Sequence, residues 1–107
     1  MGIINLDKSD GIGQLVEAGE TITSTQTIPD GETWIIEEYC GAAAYNTDVL
    51  VKVEFDGGLL FCTHGEFHKN GGEEYTGDGS KQIIISLIND SINDETMGCC
   101  YRARKKL

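Results

Sequence analysis

Few side chains in this sequence are of the types that do chemistry, and their spacing decides which chemistry is open to them. Cys62, His64 and His68 form a C-x-H-x3-H cluster, with Cys40 elsewhere in the chain. Thiolate and imidazole are ligands that suit Zn²⁺. On a strand, Cys62 and His64 share a face because successive side chains alternate. The spacing is not that of a zinc finger, and His68 falls in a glycine-rich stretch. The three are candidate metal ligands set against a plainer reading as ordinary polar and core residues. As a Cys–His nucleophile pair they would need an activated thiolate and an oxyanion pocket. Nothing else in the sequence supplies either.

Asn89-Asp90-Ser91-Ile92-Asn93-Asp94-Glu95 is rich in the oxygen ligands that Ca²⁺ takes, but lacks the order and the glycine of an EF-hand. Asx residues are equally what ordinary turns prefer. Gly11-Ile12-Gly13 is a lone G-x-G that follows no strand signal and carries almost no weight. Phosphate-loop, zinc-protease and nucleophile-elbow motifs do not occur, and the two histidines belong to no triad-like grouping. The sequence therefore predicts a protein that is not an enzyme and holds no cofactor. Trp34, Tyr45, Tyr75 and Tyr101 are the aromatics that would build a carbohydrate-binding face, without clustering in the sequence.

Four cysteines, Cys40, Cys62, Cys99 and Cys100, fall below the density of a disulfide scaffold. Met1 to Asp10 has no basic n-region and no apolar run of signal-peptide length, which predicts cytosolic synthesis and free thiols. Cys99 and Cys100 are adjacent, so on a strand they point to opposite faces, one inward and one toward a neighbour. Small buried hydrophobes, an inter-strand disulfide and an inter-subunit disulfide all remain open for them.

The elements that would position these residues are strands. No window holds a helical apolar stripe for three turns, whereas β-branched residues abound and Gly punctuates the chain. Gly19 to Pro29 reads as a Thr-rich strand, and Pro29-Asp30-Gly31 as a turn. Glu32 to Cys40 follows, with Trp34, Ile36 and Glu38 expected on one face and Thr33, Ile35, Glu37 and Tyr39 on the other. Gly41 to Ala44 is small enough for close backbone approach. Asp48 to Asp56 puts Val49, Val51, Val53 and Phe55 on one face, and Asp56-Gly57-Gly58 signals a tight hairpin into Leu59 to Thr63. Glu66 to Ser80 reads as one long exposed loop. Lys81 to Asp90 is the strongest strand, with Ile83, Ile85 and Leu87 together, and Thr96 to Lys105 closes the fold. Gly2 to Leu6 is expected as a short edge strand. About seven short strands without strand–helix alternation predict one all-β domain over residues 1–107, an antiparallel β-sandwich or jelly roll.

The size fits that domain. Surface scaling gives roughly 5,800 Å² exposed when folded against about 16,800 Å² extended, enough burial for one modest core. The longest aliphatic run, Ile83 to Ile85, is far too short to span a membrane. The net charge of −10 disfavours nucleic acid and anionic membranes as partners. That charge is divided. Residues 1–101 carry 18 acids and four lysines, a net of −14, while 102–107 add Arg102, Arg104, Lys105 and Lys106. A solvated terminus is the plain reading of this basic tail. The sharper one is head-to-tail docking of tail on acidic body, with Cys99 and Cys100 as further interface candidates.

Ile28-Pro29-Asp30-Gly31-Glu32-Thr33-Trp34-Ile35-Ile36 resembles the P-x-G-x-x-W-x-I start of small β-sandwich proteins in tailed-phage virions. Val49 to Gly58, Leu60 to Gly65 and Ile83 to Asp90 with a closing strand are similar to the rest of that pattern, so the resemblance covers residues 28–105. It implies a virion structural role, such as a decoration, collar, neck or tail component, made in a host cytoplasm and assembled with itself or with other proteins, with edge strands, the Glu66–Ser80 loop and the Arg102–Leu107 tail expected at the interfaces. The cysteines lie outside the pattern. A small carbohydrate- or ligand-binding module is the alternative, with Trp34 or the glycine-rich stretch at its site. A metal-dependent enzyme of cupin-like shape using Cys62, His64 and His68 is a third.

Overall fold

A computed structural model describes residues 6–107, which form eight β-strands and no helix. They are β1 (Asp10–Val16), β2 (Thr21–Thr27), β3 (Thr33–Ala42), β4 (Val49–Phe55), β5 (Gly58–Thr63), β6 (Phe67–Thr76), β7 (Gln82–Asn89) and β8 (Glu95–Lys105). The first sheet runs β1-β8-β3-β6 and the second β2-β7-β4-β5. Every pairing is antiparallel, and β1 meets β8, β2 meets β7, β3 meets β6 and β4 meets β5. One long hairpin is thus folded over into two sheets, which is the jelly-roll order.

The second sheet follows the hydrophobic alternation of its sequence. Val49, Val51 and Val53 on β4 and Ile83, Ile85 and Leu87 on β7 are wholly buried. Burying each such side chain contributes about 1.5–3 kcal/mol. The β4–β5 hairpin turns on Asp56 (φ 48°) and Gly57 (φ 82°), the two positive φ values a two-residue type I′ turn requires. Trp34, Ile36, Tyr39, Met97, Tyr101 and Ala103 close the core from the first sheet. The sheets touch where Gly41 lacks a side chain: a Cβ there would lie 2.5 Å from Val51 Cγ2.

Three expectations change, and a fourth lies outside the described residues. Phe67–Thr76, expected inside a loop, is the edge strand β6; its glycines and near-total exposure hide it from a hydrophobic pattern. Gly11-Ile12-Gly13 lies within β1, an edge strand whose outward positions are glycines and Leu15. The strand expected at Gly2 to Leu6 falls on residues 1–5, outside the described residues, except for Leu6, which is in no strand. The faces of β3 are also reassigned. A β-bulge between Ile36 and Glu38 leaves Glu37 without a partner on β8 or β6. One extra residue flips every later side chain to the other face. Tyr39 and Gly41 therefore join Trp34 and Ile36 in the interior, and Glu38 and Cys40 face outward.

Candidate functional site

The outer face of the first sheet gathers the chemistry. Gly11 on β1, Cys100 on β8, Cys40 on β3 and His68 on β6 stand opposite one another in a single row across all four strands. The bulge at Glu37 puts Cys40 in this row, and strand alternation puts Cys100 there while Cys99 turns inward. The Cys100 thiol donates to Cys40 Sγ at 3.2 Å. Gly11 makes room beside them, since a Cβ at that position would lie 2.9 Å from Cys100 Cβ. Both thiols are partly exposed. Three adjoining surface depressions of about 510, 370 and 450 Å³ all border Cys40, and the first two also border Cys100.

The row divides the face in two. On one side Gly13, Gly98 and Ala42 leave the sheet bare. On the other, an ionic ladder crosses three strands. His68 Nε2–H donates to the Glu38 carboxylate, Arg102 meets Glu38 at 3.1 Å and Glu37 at 3.8 Å, and Arg104 Nε–H donates to Glu37. The His68 hydrogen bond, reinforced by Arg102, holds the Glu38 carboxyl below its usual range. Burial pushes the Cys100 thiol up to about 11, with the Cys40 hydrogen bond and the Glu38 charge adding to it. Cys99, in the core, is pushed up to about 12, chiefly by burial.

The sequence candidates are scattered by comparison. Cys62 is exposed on β5 opposite Lys52, His64 donates from Nδ1 to the Val49 carbonyl, and His68 belongs to the other sheet. The structure does not assemble these three as one site, and among the described residues no group of three or more His, Cys, Asp or Glu could hold a metal ion. The oxygen-rich Asn89–Glu95 segment is the turn between β7 and β8, anchored by buried Asn89 and Ser91 while Asp90, Ile92, Asn93 and Asp94 are exposed. Asn89 Nδ2 donates to the carbonyls of Val16 (2.9 Å) and Asn93 (2.8 Å), and its Oδ1 accepts from Ser91 N–H (3.0 Å) and Ser91 Oγ–H (2.6 Å). The Asn89 and Asn93 oxygens are thus spent on the chain itself.

The basic tail is mostly strand. Arg102, Arg104 and Lys105 lie in β8, and Lys106 follows it. Besides the arginine pairs, Lys105 meets Glu32 at 3.8 Å and Lys106 meets Glu74 at 2.6 Å. The +4 is answered within the chain, so it forms no free cationic arm. Trp34 is 3% exposed, with Nε1–H donating to Glu32 at 3.0 Å, and Tyr101 is buried. Neither offers a stacking surface.

The sequence reading leaves Cys40 without a partner and gives Gly11 almost no weight. One signal was present. Tyr39-Cys40 and Cys100-Tyr101 are mirror-image dipeptides, and an antiparallel pair aligns such dipeptides so that Tyr meets Tyr inside and Cys meets Cys outside. The observed register does so.

No family model matches the chain, and no curated protein matches it. Among solved structures it is similar in shape to dimeric latent PorU from Porphyromonas gingivalis, at 10% identity and a TM-score of 0.39. The overlap covers 96% of this chain but 13% of that one, so this chain spans only a small part of that protein's length.

Proposed function

We propose that the chain is a non-enzymatic structural protein that assembles with copies of itself or with other proteins, in the virion setting implied by the resemblance over residues 28–105. Jelly rolls are frequent among capsid proteins, though lectin domains and cupins share the architecture, so the fold alone does not decide between them. The observation that carries the reading is a set of exposed apolar side chains, different on the two opposite edges of the sandwich. On the β1 side Leu15 is 55% exposed. On the β5–β6 side Leu59 and Phe67 are 60% and 58% exposed and border a depression of about 240 Å³. Unlike apolar side chains on opposite edges suit a heterologous contact, which repeats into a ring or a filament. The basic residues of the tail are paired within the chain, so of the interfaces expected the edge strands are kept and the tail is not.

Light scattering after size exclusion, over a range of concentrations, tests this. The expected result is association into one defined species, seen as rings or rods by negative-stain microscopy and weakened by Phe67→Ser. A strict monomer at the highest soluble concentration overturns it. Absence of the chain from purified particles of a producing culture would overturn the virion setting.

A further inference from the structure

We propose that Cys40 and Cys100 are a redox modification site, a dithiol that a small-molecule disulfide such as glutathione disulfide closes into a covalent staple between β3 and β8. The two residues are directly opposed in an antiparallel pair. Such partners have Cα atoms about 4.5–5.5 Å apart, within the roughly 4.4–6.8 Å that a disulfide bridges. The Cys100 thiol already lies 3.2 Å from Cys40 Sγ, so side-chain rotation suffices and the strands need not move. Gly11 leaves the far side of Cys100 open. The depressions over the pair open the thiols to a small peptide disulfide, and Cys40 borders all three.

The chemistry is two thiol–disulfide exchanges. The Cys40 thiolate attacks one sulfur of glutathione disulfide, and glutathione leaves as a thiolate that takes up a proton. The Cys100 sulfur, losing its proton, then attacks the Cys40 sulfur of the mixed disulfide and releases the second glutathione. The chain loses two hydrogens and two electrons, and the oxidant gains them as two molecules of glutathione. Burial and its neighbours keep the Cys100 thiol protonated. It is a slow resolving group, and in the closed form a poor leaving group. These are properties of a lock, not of a fast exchange catalyst. The staple ties together the two central strands of the first sheet. It also gives Cys100 a partner inside the chain, in place of the inter-subunit role expected of it.

The test uses the full chain with Cys62→Ser, which removes the exposed thiol. After incubation with glutathione disulfide under native conditions, free thiols are alkylated and the chain is weighed and mapped by peptide mass spectrometry. The expected product has lost two hydrogens, joins the Cys40 and Cys100 peptides within one chain, and melts about 10 °C or more higher. Adding Cys100→Ser should instead trap glutathione on Cys40 as a stable mixed disulfide. Three thiols still free after treatment, a link through Cys99, or a link between chains would each overturn the proposal. None of these readouts depends on whether the chain assembles.

Discussion

The two sheets of this jelly roll share one core but are built by different rules. The second sheet is specified by burial. Its central strands β4 and β7 carry Val49, Val51, Val53, Ile83, Ile85 and Leu87, all wholly buried, and its one tight hairpin uses the residues that such a turn demands. The first sheet is specified by exceptions. A bulge resets the faces of β3, glycines line the outer side of β1, and charged pairs span β6, β3 and β8. The difference separates roles: one sheet supplies stability through a regular pattern, and the other spends its irregularities on placing thiols and charges at the surface.

The largest effect expected from that division is on core truncation. Ile85→Ala removes most of a wholly buried side chain between four-stranded sheets, and should cost about 3–4 kcal/mol. Thr96→Ala, at an exposed position on β8, should stay within about 0.5 kcal/mol. Urea unfolding of the two variants decides it, and comparable losses would show that the first sheet carries its stability outside the shared core.

The joint between the sheets comes next. Asn89 ends β7 in the second sheet, yet its side chain reaches the carbonyl of Val16 at the end of β1 in the first. Asn89→Ala strands buried donors and acceptors on both sides, at a cost of about 2–3 kcal/mol. The urea midpoint should drop with little change in slope. Added Ca²⁺ should leave the wild-type midpoint unchanged, because the Asn89 side-chain oxygen already accepts from the N–H and O–H of Ser91; a calcium-dependent rise would reopen a cation role for the segment.

How much of this was legible follows from the same division. In the second sheet, period-two alternation with one face buried fixes which residues point inward, and Val49 to Phe55 and Ile83 to Leu87 read directly. The Asp56-Gly57 turn reads directly too, because few residues accept positive φ. In the first sheet the signals fail for separate reasons. β6 is exposed on nearly every residue, so no apolar periodicity marks it. The bulge at Glu37 depends on where Gly71 and Gly72 of β6 sit; a Cβ on Gly71 would collide with the Ile36 carbonyl, and that is a tertiary contact. Without the bulge, Cys40 is assigned to the buried face and the dithiol disappears from view. The C-x-H-x3-H spacing misled because His68 lies past a crossover from one sheet to the other, where sequence proximity no longer means spatial proximity.

Acid should weaken the ionic ladder and the turns that share its chemistry. Glu38 is held below its usual range by the His68 hydrogen bond and Arg102. Glu32 is lowered by the Trp34 hydrogen bond, and Asp78 by bonds from Ser80 and Lys81. In each case the unfolded chain binds protons more readily than the folded one. Stability therefore rises with pH through this window, is fully present above the unfolded value of about 4.5 for the glutamates, and is lost as pH falls through the depressed folded values. The groups are solvent-exposed, so the slope should be shallow. The urea midpoint, followed downward in pH, should fall gradually. Replacing His68 with Gln should flatten part of that fall, and an unchanged slope would remove the ladder from the account.

The smallest effect bears most directly on the proposed assembly. Arg104 and Glu37 form an exposed pair, and Arg104→Ala should cost at most about 1 kcal/mol, less still in high salt. The same variant separates two ways of building an assembly. If subunits met through a basic arm on an acidic body, Arg104→Ala and added salt would both dissolve the association, since long-range attraction between exposed charges is screened. Arg104 already has its counter-charge on the neighbouring strand, and the exposed apolar side chains Leu15, Leu59 and Phe67 lie at the edges. Association should therefore persist in Arg104→Ala and in high salt, where apolar contact is retained or strengthened. It should fail in Phe67→Ser under both conditions. The reverse pattern, salt-labile and indifferent to Phe67, would return the docking role to charge and leave the first sheet's ladder as an interface that opens on contact.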